Sequence, residues 1–145
     1  MQNIKIVRVD KNLPIPRYQT SGASGMDLYS SIDCSIRPTE RVLIPTGIKL
    51  KIPEGYEVQI RPRSGLALNY GISVLNTPGS IDSDYTGEIG VILVNHADVP
   101  FVIKKGDRIA QAIFAKVYRA NIVEVECLEE TERGESGFGS TGREF

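Results

Sequence analysis

Two aspartates one residue apart, Asp82 and Asp84, are followed at once by a tyrosine, Tyr85, in the run Gly79-Ser80-Ile81-Asp82-Ser83-Asp84-Tyr85-Thr86-Gly87-Glu88. Asn76 and Pro78 lie just before it. Glycine and proline at the ends of such a run predict a tight hairpin between two strands. A solvated turn could carry the same aspartates. A turn that also presents an aromatic ring and an amide is stocked to hold something polar with a flat face.

A second group is Pro62-Arg63-Ser64-Gly65-Leu66-Ala67. The arginine fork suits phosphate oxygens, and Ser64 is placed to start a short helix, as an N-cap, whose first amides face an anion. Alone, an Arg-Ser-Gly that ends a strand is usually a plain turn. The third group is the glycine-rich end of the chain. Residues 137–142 spell Gly-x-Gly-x-x-Gly, yet with three residues left no helix can follow, so a dinucleotide fingerprint is excluded. Ser140, Thr141 and the backbone amides could still wrap phosphate, with Phe138 as a stacking ring. The lone histidine, His96, has no Cys or His neighbours and reads as a surface or satisfied residue. That argues against zinc or Ser-His-Asp chemistry.

These groups need a scaffold, and the period of two supplies it. Tyr56, Val58 and Ile60 alternate with Glu57, Gln59 and Arg61; Ile48, Leu50 and Ile52 alternate with Lys49 and Lys51; Ile4 and Ile6 begin another run. Such alternation marks half-buried antiparallel strands. Residues 89–94 and 109–117 are dense enough for strands covered on both faces. Turn signals at Pro53-Glu54-Gly55, Asn69-Tyr70-Gly71, Pro78-Gly79 and Lys105-Gly106-Asp107 separate them. The fold class is all-β, a sandwich, barrel or jelly roll, with one short helix over residues 64–69.

The frame is one domain of 145 residues. A formal net charge of −1 argues against a broad basic footprint, so neither nucleic acid nor an anionic membrane is expected as a partner. No apolar run approaches the ~20 residues of a membrane span, and the N-terminus lacks a secretory apolar stretch. Cys34 and Cys127 lie far apart, which favours two buried or reduced thiols in a cytoplasmic protein over a disulfide. After Leu128 the composition turns to Glu and Gly, with Phe138 and Phe145 as the only large apolar side chains. Residues 1–128 are therefore read as the β domain. Residues 129–145 form a segment mobile in isolation, either a frayed end or a lid.

Five ordered motifs carry a resemblance that spans nearly the whole chain. They are Ala23-Ser24-Gly25-Met26-Asp27-Leu28, the Pro62 to Ala67 run, residues 76–88, Gly106-Asp107-Arg108-Ile109-Ala110-Gln111, and residues 133–142, Arg-Gly-Glu-Ser-Gly-Phe-Gly-Ser-Thr-Gly. Together they resemble the trimeric-type dUTPases. Ser136 departs from the pattern, standing where that family usually has glycine. A positive φ there would suit serine less well.

The resemblance implies a jelly-roll-like β-barrel that forms a homotrimer, with active sites at subunit interfaces. It implies hydrolysis of dUTP to dUMP and pyrophosphate, limiting uracil in DNA and supplying dUMP for thymidylate. Asp82 would be the general base for water attacking the α-phosphorus in line. Uracil would sit against Asn76, Gly79, Ser80, Ile81 and Gly90, and Tyr85 would pack under the sugar and exclude a 2′-hydroxyl. Arg63, Ser64, Gly65 and Gln111 would surround the phosphates. From the tail, Arg133, Phe138, Gly139, Ser140 and Thr141 would close over base and γ-phosphate. Mg2+ would be the cofactor, held by phosphates and water, with Asp27 either reaching its water shell or bracing the site. A dCTP deaminase, a non-catalytic nucleotide binder and a purely structural barrel are the rival readings.

Overall fold

The computed structural model describes residues 3–144; Met1, Gln2 and Phe145 lie outside the described residues. Ten strands and one helix follow in the order β1 (Lys5–Arg8), β2 (Gly25–Tyr29), β3 (Cys34–Ile36), β4 (Arg41–Lys51), β5 (Tyr56–Arg61), α1 (Ser64–Tyr70), β6 (Ile72–Val74), β7 (Gly79–Ile81), β8 (Glu88–Asn95), β9 (Phe101–Ile103) and β10 (Arg108–Lys116). One four-stranded sheet runs β1-β4-β8-β6, a second runs β2-β10-β5-β7, and β3 pairs with β9. All these pairings are antiparallel, and the fold is an all-β, jelly-roll-like double sheet.

The alternating residues do what their spacing demands. Ile48, Leu50 and Ile52, Val58 and Ile60, and Ile89, Val91 and Leu93 point into one apolar cluster drawn from both large sheets. Side-chain hydrogen bonds satisfy the polar groups buried among them. Thr46 Oγ1 donates to the carbonyl of Ile89 at 2.6 Å, and Asn95 Nδ2 donates to the carbonyls of Ile36 and Val99.

Two local expectations are corrected. Residues 79–88 do not form a hairpin: β7 pairs with β5 in one sheet and β8 with β4 and β6 in the other, so the Asp82-to-Gly87 loop crosses between sheets. Glycine and proline mark a reversal but do not choose partners. Ser64 is also not the cap. Arg63, extended at φ −91° and ψ 127°, takes the N-cap position without a side-chain bond. The helix ends where Gly71 turns left-handed at φ 65° and its N–H meets the carbonyls of Ala67 and Leu66.

Both cysteines are free. Burial, with Asp33 and Glu40 nearby, pushes the half-buried Cys34 thiol up, whereas Cys127 is exposed. His96 is exposed. The last strand ends at Lys116, well before the change in composition, and Tyr118, Ile122, Val123, Val125 and Leu128 are exposed. No helix among the described residues is long and apolar enough to cross a membrane.

Candidate active site

The strand-to-strand crossing builds a cavity of about 300 Å³. Asn76, Gly79, Ser80, Ile81, Asp82, Tyr85 and Gly90 all line it, so seven of the expected site residues meet in one place. Its apolar wall is made by Leu43, Ile60, Val74, Val91 and Ile92. The pairing of Gly79 with Ile60 brings β7 over this wall, and the Asn76 amide lies close above Gly79. A flat polar ring would find an amide edge and a greasy floor here.

The loop that carries Asp82 is pinned by its own bonds. Tyr85 N–H donates to the Asp82 carbonyl at 3.2 Å, closing a tight turn. Tyr85 Oη donates to the Glu88 carbonyl at 2.9 Å, which lays the ring back against Gly87. From the neighbouring sheet, Lys51 Nζ donates to the Ser83 carbonyl at 3.2 Å. Asp82 itself stays exposed at the rim. Glu88 Oε1 accepts the N–H of Gly47 at 2.9 Å.

A separate cluster gathers around Asp27. β10 carries a bulge between Arg108 and Ala110, after which Gln111 stands opposite Asp27 on one side and Arg61 on the other. Bulges re-aim side chains, and here Arg108 Nη1 comes to 3.4 Å from Asp27 Oδ2. Arg63 reaches back so that its Nε donates to Asp27 Oδ1 at 3.0 Å and its Nη1 to the Arg108 carbonyl at 3.3 Å. Gln111 Nε2 donates to the Pro62 carbonyl at 2.9 Å, holding the entry to α1, whose first residues are Ser64 and Gly65. Two guanidinium groups on one carboxylate make a site suited to an anion with several oxygens.

The third group does not join the other two. Arg133 Nε donates to the Ser136 carbonyl within the tail at 2.8 Å; Phe138 is fully exposed, and Gly139, Ser140 and Thr141 are exposed beside it. None of these five lines the cavity, and neither do Arg63, Ser64, Gly65 or Gln111. Among the described tail residues the positive φ values fall on Gly134, Phe138, Gly139 and Gly142, not on Ser136, so serine meets no backbone obstacle there. Among the described residues no three His, Cys, Asp or Glu side chains converge as a metal cluster.

Sequence reasoning passed over Arg108, although it stands inside the fourth motif, and Glu88, which ends the third. Like the apolar wall drawn from β4, β5, β6 and β8, they become visible only once the strands are registered.

Comparison with known proteins agrees with this geometry. A family profile described as dUTPase matches residues 11–142. A deoxyuridine 5′-triphosphate nucleotidohydrolase of Nautilia profundicola is 59% identical over 140 residues, covering 97% of this chain and 99% of the relative. One from Caldanaerobacter subterraneus is 55% identical over 143 residues, covering 96% and 97%. Among solved structures, the Staphylococcus bacteriophage 80alpha dUTPase, a G164S mutant with dUpNHpp, superposes with a TM-score of 0.90 at 26% identity, covering 99% of this chain and 100% of that one. With the family profile spanning most of the chain and relatives more than half identical along nearly all of it, the chain belongs to the dUTPase family.

Proposed function

We propose that this chain hydrolyses dUTP to dUMP and pyrophosphate, with Asp82 as general base. The observation that carries the reading is the cavity itself, with an apolar floor, an amide at its edge and a carboxylate and tyrosine at its rim. Uracil enters against Asn76 and the Gly79-to-Ile81 backbone, with Gly90 in the wall. Tyr85 packs under the deoxyribose and leaves no room for a 2′-hydroxyl. The phage relative carries dUpNHpp, a ligand of the matching class. Exposed Asp82 can take a proton from the water that attacks the α-phosphorus, and the work left to the protein is mostly positioning and charge.

Arg63, Ser64, Gly65 and Gln111 take the phosphates, with Arg108 added to that set. Asp27 braces the two arginines, because both its oxygens already face guanidinium groups. A divalent cation, Mg2+, would supply charge neutralisation of the triphosphate when bound with it. The nearby donors fit an ion carried in on the phosphates, since Asp27 could reach its water shell only by releasing an arginine.

The active unit is a homotrimer. The cavity under the sheet-crossing loop, the arginine cluster and the tail stand apart on one chain, and copies of the chain can bring them together. The exposed apolar side chains of residues 118–128 favour such assembly. In it, residues 129–145 act as a lid, with Phe138 stacking on the base, Arg133 and Gly139 lining the closed site, and Ser140 and Thr141 on the γ-phosphate.

Pyrophosphate release from dUTP, compared with dTTP, UTP and dCTP, tests the whole reading. Turnover confined to dUTP, with no ammonia formed, is the expected result. Ammonia from dCTP, or tight dUTP binding without turnover, would replace it.

A further inference from the structure

We propose that Gly87 is a positioning residue for Tyr85 and thereby sets the discrimination between deoxyribose and ribose. The inference rests on the reading of Tyr85 as the wall beneath the sugar. A Cβ at Gly87 would stand 2.6 Å from Tyr85 Cζ and 3.0 Å from Cε2, and closer still to Oη. Its three nearest neighbours all belong to this one ring. Gly87 is not among the glycines with positive φ, so alanine could adopt its backbone without strain. The glycine is required by the ring and not by the turn.

Among the described residues the ring has one fixing bond, from Oη to the Glu88 carbonyl at 2.9 Å. That bond can form only while the ring lies flush on the Gly87 backbone. Any side chain at position 87 lifts the ring, breaks the bond and frees the wall to swing. A wall that swings no longer excludes a 2′-hydroxyl.

The test is a cycle of Gly87→Ala, Tyr85→Ala and the double variant, each assayed on dUTP and UTP. Gly87→Ala should raise the UTP-to-dUTP ratio of kcat/KM by about tenfold, a coupling ordinary for residues in contact. In the Tyr85→Ala background the same glycine change should shift the ratio no further. An unchanged ratio in Gly87→Ala, with a raised ratio in Tyr85→Ala, overturns the role of Gly87 and leaves the sugar-wall reading standing. An unchanged ratio in Tyr85→Ala removes both. If Gly87→Ala folds poorly, its melting temperature should recover in the double variant, where the ring is gone; no recovery overturns the proposal.

Discussion

Asp27→Asn keeps the side chain's shape and removes its charge, which makes it the cleanest probe of the arginine cluster. Asp27 is 15% exposed, Arg63 32% and Arg108 45%, so this is neither a surface pair nor a buried one. Exposed pairs contribute roughly 0.2–1 kcal/mol, and breaking a fully buried one costs about 3–5 kcal/mol. The 3.0 Å bond to Arg63 sits between these limits, while the 3.4 Å approach of the more exposed Arg108 belongs near the lower one. Together they hold Arg63 in place by about 1–2 kcal/mol. At 1.36 kcal/mol per factor of ten, kcat/KM for dUTP should fall roughly 5- to 30-fold. In the proposed reading Arg63 contacts phosphate before and during the reaction, so most of the loss should appear in KM.

Steady-state pyrophosphate release at saturating and limiting Mg2+ is the assay, run also in an Arg63→Ala background. There Asp27→Asn should have little left to remove, because its partner is gone. Full additivity of the two changes would refute the brace. So would a defect in Asp27→Asn that vanishes at saturating Mg2+, which would mark Asp27 as a contact of the ion's water shell.

Asp82→Asn should bind dUTP nearly as the parent does while kcat falls by roughly 10²-fold or more; parent-like turnover would end its assignment as base. A chain truncated after Glu132 should keep its melting temperature and assembly while kcat collapses, and full-length turnover would reduce the tail to a frayed end. Light scattering should give three times the chain mass, and mixing Asp82→Asn subunits with tail-deleted ones should restore activity; a fully active monomer would refute shared sites. Lys105 beside Asp10, with the Asn12 N–H, holds the Asp10 carboxyl below its usual range. A depressed carboxyl stabilises the fold above its unfolded value and loses that contribution as pH falls through the folded one. Asp10→Asn should therefore flatten the acid limb of thermal stability below about pH 4; an unaltered limb would show that the pair carries none of it.

Local chemistry in this chain was legible, and non-local pairing was not. Alternation at residues 48–52 and 56–61 exposed the core face because burial repeats every second residue. Of the seven cavity residues, Asn76, Asp82 and Tyr85 stood out by residue type in one short run, whereas Gly79, Ser80, Ile81 and Gly90 were named through the resemblance to the dUTPases. The sheet crossing escaped because the turn signals at Pro78 and Gly79 are the same for a hairpin and for a loop between layers. What separates them is the partner strand, β5 for one arm and β4 with β6 for the other. Arg108 was hidden for a related reason, since only the bulge after it turns its guanidinium toward Asp27. Residues 118–128 misled in the opposite direction. Ile122, Val123, Val125 and Leu128 read as part of the β domain, yet one chain leaves them exposed. Apolar pattern records that a side chain will be covered, not which molecule covers it.

The working groups stand apart for a reason of charge. In the proposed reading Asp82 is a base only while its charge is free, and a guanidinium held beside its exposed carboxylate would favour the paired state by roughly 0.2–1 kcal/mol. Had Arg63 packed beside Asp82 on one chain, the two would pair in the absence of nucleotide, and substrate phosphates would have to break that pair to bind. The fold instead gives Arg63 and Arg108 their own counter-ion, Asp27, on the same sheet, and leaves Asp82 exposed on a loop tied only through backbone carbonyls. Phosphate and base then meet only where nucleotide lies between them. In the trimeric reading, Asp27→Asn should thus do more than loosen Arg63: it frees a cation to seek Asp82 of a neighbouring copy. The kcat of that variant should rise with ionic strength, as screening releases the base, whereas the parent's should not. A flat salt response in Asp27→Asn would mean that Asp27 braces geometry alone.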